Sequence, residues 1–221
     1  MADQELIDFV PHRLIERLAD RIKAGVVDAE EKFWLNAADE DSLTGALGHS
    51  ISTTHPVYLI SGETEFAFEI TSHKIGGRGP NAPEKTLGAD AIFQIRVYHY
   101  GTPVFSKGLP IQAKVRGGFE NQAVVSQARA MESTAGTGIV VRYSENGYTA
   151  TPAGHVTKRA AIGHAPAPRP KKLATVLGGD FLQCQVGRVG LHLNPEQTRP
   201  GGAPVWVIDT IIRADLRPDD Q

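Results

Sequence analysis

Three residues in the middle of the chain have types and spacing suited to phosphate chemistry: Asp90, Gln112 and Lys114. Asp90 opens an apolar run, DAIFQIRVYHY over 90–100, that reads as a β-strand. Gln-Ala-Lys closes the next run, PVFSKGLPIQAKV over 103–115, with Gly101 in the turn region between them. Strand side chains alternate, so Gln112 and Lys114 share one face while Ala113 takes the other. If the two strands are neighbours, Asp90 meets that pair at one end of a sheet, bringing a carboxylate, an amide oxygen and an ammonium together. Phosphodiester hydrolysis needs that combination. Hard oxygen ligands hold Mg²⁺, which commonly takes one or two protein carboxylates and a phosphate oxygen of the substrate. The ion polarises the phosphate and lowers the pKa of bound water, and a lysine beside it orients the attacking water and steadies the transition state.

Those residues must be held by elements that the hydrophobic pattern outlines. Leu6, Phe9, Val10, Leu14, Leu18 and Ile22 fall near helical spacing, with Pro11 dividing the stretch. A second helical stretch is expected from Asp28 to Ile51, where Leu43, Leu47 and Ile51 lie four apart and Glu40 shares their face near the helix start. Strands follow at 57–60 and 64–71, joined through Ser61, Gly62 and Glu63, with Phe66, Phe68 and Ile70 alternating against Glu65, Ala67 and Glu69. After a Gly- and Pro-rich loop over 74–88 come the two strands bearing Asp90 and Lys114, then a helix over 121–134 and a strand over 138–144. A second hairpin turns at Glu145, Asn146 and Gly147. Residues 163–172 are a Pro-rich connector, 173–187 a helix interrupted by Gly178 and Gly179, and 204–216 a late strand.

The Gly88-Ala89-Asp90 and Gln112-Ala113-Lys114 elements, followed by a helix with Gln127 and the strand IVVRYS, resemble the PD-(D/E)XK nuclease superfamily, in particular its Mrr-like branch with Gln before the lysine. The resemblance covers roughly residues 30–145. It implies an α/β fold with a restriction-endonuclease-like core (helix, mixed β-sheet, helix, strand), to which this chain adds a C-terminal helix and strand. It implies Asp90 and Gln112 as metal ligands, Lys114 as the catalytic lysine, and Mg²⁺ or Mn²⁺ as the cofactor. Replacing an acid by Gln removes a charge, so another carboxylate is expected to help: Glu40 first, then Glu84, then Glu69. The 21 residues between Asp90 and Gln112 exceed the common spacing, and the YHYGTPVFSKG hairpin accounts for the excess. Lys74, Arg78, Lys85, Arg116 and Gln127 are the expected nucleic-acid contacts. The chain divides on this reading into a helical segment (1–27), a nuclease core (28–154) and a C-terminal extension packed on that core (155–221).

Composition sets outer bounds. With 221 residues, 41% hydrophobic and 22% charged, the chain is long enough for a substantial core. No apolar run is of spanning length, and the acidic N-terminus lacks an export-signal core, so a cytoplasmic protein without a membrane partner is expected. Cys184 is the only cysteine, which excludes an internal disulfide and a CxxC metal site. The net charge of −2 divides unevenly: residues 74–172 carry 14 Lys and Arg against 5 Asp and Glu, a net +9, and the remainder carries −11. A basic middle suits an anionic partner such as DNA. The GGRGPN loop (76–81) lacks the Lys-Ser/Thr of a P-loop, and the eight histidines show no HxH or HExxH spacing. Trp34 and Trp206 read as core or interface anchors.

The function expected is a DNA endonuclease, a metal-dependent hydrolase of the kind used in restriction, anti-phage defence or repair. It would act as a homo-oligomer, with room for a regulatory protein partner. Two competitors stand beside it: a catalytically inactive nuclease-fold subunit that binds nucleic acid or assembles with others, and an unrelated α/β binding module in which QAK is ordinary strand surface.

Overall fold

The computed structural model describes residues 5–75, 87–115, 121–162, 169–193 and 205–216. Helix α1 (His12–Glu31) starts as soon as Pro11 has closed the preceding turn, and its stripe of Leu14, Leu18, Ile22 and Val26 is fully buried. Each such side chain contributes about 1.5–3 kcal/mol by leaving water. A short helix α2 (Phe33–Asn36) leads to α3 (Glu40–Ile51), where Leu43, Leu47 and Ile51 occupy the same core. The helix expected from Asp28 to Ile51 is thus divided. Asp39 accepts a 2.7 Å hydrogen bond from Ser42 N–H and caps a new helix whose first residue is Glu40. α1 and α3 cross closely at Gly25, where a Cβ would stand 2.6 Å from Ile51 Cα, and Arg21 donates to the C-terminal carbonyls of Ser50 and Ser52.

Nine described strands form one mixed sheet: β1 (Val57–Ser61), β2 (Thr64–Ile75), β3 (Ala91–His99), β4 (Thr102–Lys114), β5 (Ile139–Arg142), β6 (Thr149–Pro152), β7 (Lys171–Lys172), β8 (Arg188–Val189) and β9 (Val205–Leu216). The order across the sheet is β1-β2-β9-β3-β4-β5-β6-β7, with β8 paired to β4 at Lys107 and Gly108. Neighbours are antiparallel except β3 with β9 and β4 with β5. Helices α1 and α3 cover one face, packing on Phe66, Phe68, Phe93, Ile111, Val141 and Ile208. On the opposite face α4 (Gln122–Ala135) and α5 (Ala153–Ile162) close over Ala89 and Val140 with Val124, Ala128, Met131 and Val156. The class is α/β, and no helix among the described residues is long and apolar enough to cross a membrane.

Several further features differ from the sequence expectation. The division at residue 27 falls inside α1, and β9, placed by pattern in an extension packed on the core, lies within the sheet between β2 and β3. VWVIDTIIRADL is close to a continuous apolar run, as a strand covered on both faces requires. The interrupted helix over 173–187 is a short turn, α6 (Leu173–Thr175), running into a π turn (Val176–Asp180), while α5 had no clear sequence signal.

Candidate functional site

The hairpin β3–β4 pairs Ala91 with Ile111, so Asp90, one residue further out, stands level with Gln112; its N–H donates to Ile111 O at 2.9 Å. Gly88 makes this delivery possible. It has φ +69°, and a Cβ there would lie 2.5 Å from Gln127 O and 2.8 Å from Ala130 Cβ, so only glycine lets the chain turn against α4. Ile111 and Ala113 face the α1/α3 core. Gln112 and Lys114 therefore face the other way, level with Val140 and Arg142 of β5.

Asp90 Oδ2 accepts from Gln112 Nε2 and from Ala113 N–H at 2.7 Å. A carboxylate only accepts, so the amide must turn its nitrogen to Asp90 and its oxygen away. That oxygen, Gln112 Oε1, is buried with no hydrogen-bond partner. Lys114 Nζ donates to Glu40 Oε2 at 2.9 Å, and Val115 N–H donates to Glu40 Oε1 at 3.3 Å. The capped start of α3 thereby meets the end of β4. Glu40, Asp90, Gln112 and Lys114, drawn from a helix and two strands, gather at one end of the sheet. Tyr143, fully buried in the α1/α3 core, bonds its N–H to Lys114 O and its hydroxyl to Thr44. Burial pushes its hydroxyl pKa up; a hydrogen bond with Thr44 opposes that rise, and the charges of Asp90 and Glu40 add to it.

Asp90, Glu40 and Gln112 carry oxygen donors of the kind that a hard divalent cation takes. A buried acceptor left without a donor costs about 1–3 kcal/mol, and Gln112 Oε1 is one of five such side-chain atoms among the described residues; a cation shared with Asp90 requires the amide to turn over, so that its oxygen and not its nitrogen faces the carboxylate. Among the described residues no three His, Cys, Asp or Glu gather as a metal cage.

The remaining candidates divide. Arg78, Glu84, Lys85 and Arg116 lie outside the described residues. Lys74 is held by Asp41 at 2.6 Å, and the same carboxylate accepts from Trp206 Nε1. Glu69 faces Arg213 at 3.8 Å and stands level with Arg96, far up β3 from Asp90. Gln127 buries its Oε1 without a partner instead of presenting it to solvent. Trp34, read as an anchor, is 71% exposed beside an equally bare Leu35. Sequence reasoning missed Tyr143, Thr44 and Arg142. Arg142 is exposed and level with Lys114, a relation that depends on parallel pairing of β4 with β5. Thr44 had one available signal: it lies four residues after Glu40 on the same helix face. A cavity of about 870 Å³ between α1 and the Gly178–Gln183 segment is lined by none of the four gathered residues. Comparison with family models, with curated proteins and with solved structures gives no match for this chain.

Proposed function

We propose that this protein is a metal-dependent nuclease with a restriction-endonuclease-like core that hydrolyses DNA phosphodiester bonds, in a role such as restriction or anti-phage defence. One observation carries the reading: the Asp90–Gln112 and Glu40–Lys114 contacts lie two residues apart at the end of β4, with the Gln112 amide oxygen buried and unpartnered. Asp90, Gln112 and Glu40 would hold Mg²⁺ or Mn²⁺, which supplies the positive charge that polarises the phosphate. Lys114, fixed by Glu40 on the same strand face as Gln112, is placed to orient a water and to neutralise charge developing on the phosphate. Arg142 on the neighbouring strand adds a second cation at the same level, suited to a backbone phosphate.

The alternative, a catalytically inactive nuclease-fold subunit that binds nucleic acid or assembles with others, draws support from the small number of carboxylates gathered and from the Glu40 contact that already occupies Lys114. Supercoiled plasmid incubated with the purified protein and Mg²⁺ or Mn²⁺ separates the two. The nuclease reading expects nicked or linear product, abolished by EDTA and reduced at least about 100-fold by Lys114→Ala. Salt-sensitive DNA binding without cutting would establish the inactive subunit instead, and neither outcome would leave an unrelated α/β module.

A further inference from the structure

Resting on the nuclease reading above, we propose that Tyr143 and Thr44 are positioning residues for Glu40. They form a buried hydroxyl relay that fixes the first turn of α3, and with it the residue that carries this carboxylate, against the end of β4, and thereby sets the site's affinity for its divalent cation. The direction of the relay follows from hydrogen count. Thr44 Oγ1 donates to the Glu40 carbonyl oxygen at 2.7 Å, which uses its only hydrogen. It can then only accept from Tyr143, whose hydroxyl lies 3.2 Å away and must be the donor.

Both side chains are closed to substrate, Thr44 being 1% and Tyr143 0% exposed. Tyr143 is tied in turn to the lysine strand, because its N–H donates to Lys114 O at 2.8 Å. Tyr143 and Thr44 together therefore link the peptide of Lys114 to the peptide of Glu40, whose side chains meet 2.9 Å apart. The tyrosine ring is held edge-on by Tyr148, with centroids 4.6 Å apart, and Tyr148 anchors its own hydroxyl on Ala29 O, away from Glu40. Packing alone would be served as well by phenylalanine, which buries no polar atom. The hydroxyl is explained by what it reaches.

Mn²⁺ titration followed by electron paramagnetic resonance, with thermal melting of the same samples, tests this on the full chain. Tyr143→Phe and Thr44→Val should each weaken Mn²⁺ binding about tenfold, at the lower end of what outer contacts of a metal ligand contribute. Thr44→Ser should bind as the unaltered protein does. Tyr148→Phe, which loses an equally buried hydroxyl, should melt lower and keep its Mn²⁺ affinity. Unchanged affinity in folded Tyr143→Phe and Thr44→Val overturns the relay and leaves the nuclease reading standing. Equal loss in Tyr148→Phe reduces the effect to general packing and overturns it too. Absence of Mn²⁺ binding by the unaltered protein overturns the metal site itself, and the relay with it.

Discussion

Two of the acid–base pairs that involve this sheet are built to opposite ends. Arg96 and Asp209 face each other from β3 and β9. The arginine donates to both carboxylate oxygens, through Nε at 3.3 Å and through Nη2, while Nη1 reaches the Tyr98 hydroxyl at 3.1 Å. Asp209 is 1% exposed. Every strong donor there has an acceptor, so the pair is closed and serves to register the parallel strands. At the strand ends, by contrast, Lys114 holds Glu40 through a single contact with both side chains partly exposed, and the adjoining amide oxygen has no partner. A partly exposed pair beside an unsatisfied acceptor is what a ligand-exchanging site requires; a saturated pair in the interior is what a fixed joint requires.

The largest expected break in that contrast is Arg96→Ala. It leaves a buried carboxylate uncompensated and should cost about 3–5 kcal/mol in urea unfolding, whereas Lys114→Ala should cost no more than about 1 kcal/mol in the same experiment. Equal costs would mean that the rim pair is also structural. Smaller but more pointed is Gln112→Glu, which sets a second carboxylate against Asp90. Without metal the repulsion should lower the melting temperature by several degrees, about 1 kcal/mol or more, and saturating Mn²⁺ should reverse the loss. A melting temperature indifferent to Mn²⁺ would argue against a cation between these side chains. The smallest effect lies at high pH. Burial raises the pKa of both Tyr143 and Tyr148, the latter to about 12 with a further contribution from Glu30. The unfolded chain then releases these protons first. The stability they confer is complete below pH 10 and falls as pH rises from 10 toward about 12. Denaturation midpoints measured at pH 8 and 11 should converge in the Tyr143→Phe, Tyr148→Phe double variant.

Local rules made much of this legible. The four-residue spacing of Leu43, Leu47 and Ile51 placed α3 on the sheet, and the two-residue period of a strand put Gln112 and Lys114 on one face with Ala113 on the other. The hairpin around Gly101 was short enough to make β3 and β4 neighbours, which brought Asp90 level with Gln112. What was not legible depends on contacts between distant parts of the chain. Nothing near Tyr143 announces a hydrogen bond to a residue 99 positions earlier. The insertion of β9 between β2 and β3 reflects competition among several apolar strands for the same neighbours. Trp34 shows the limit from the other side: its residue type suited a core or an interface anchor alike, and its 71% exposure excludes only the core.

That late strand has a consequence for biosynthesis. β9 is hydrogen-bonded on both edges, through 12 residue pairs to β2 and 9 to β3, yet it lies about 90 residues after the lysine strand in sequence. As the ribosome releases the chain, β1–β2 and β3–β4 emerge as separate hairpins, each with a bare inner edge that can recruit stray partners. Residues 205–216 act as the keystone that joins them, so a polypeptide stalled or clipped short of this point is left as two unsealed halves prone to aggregation.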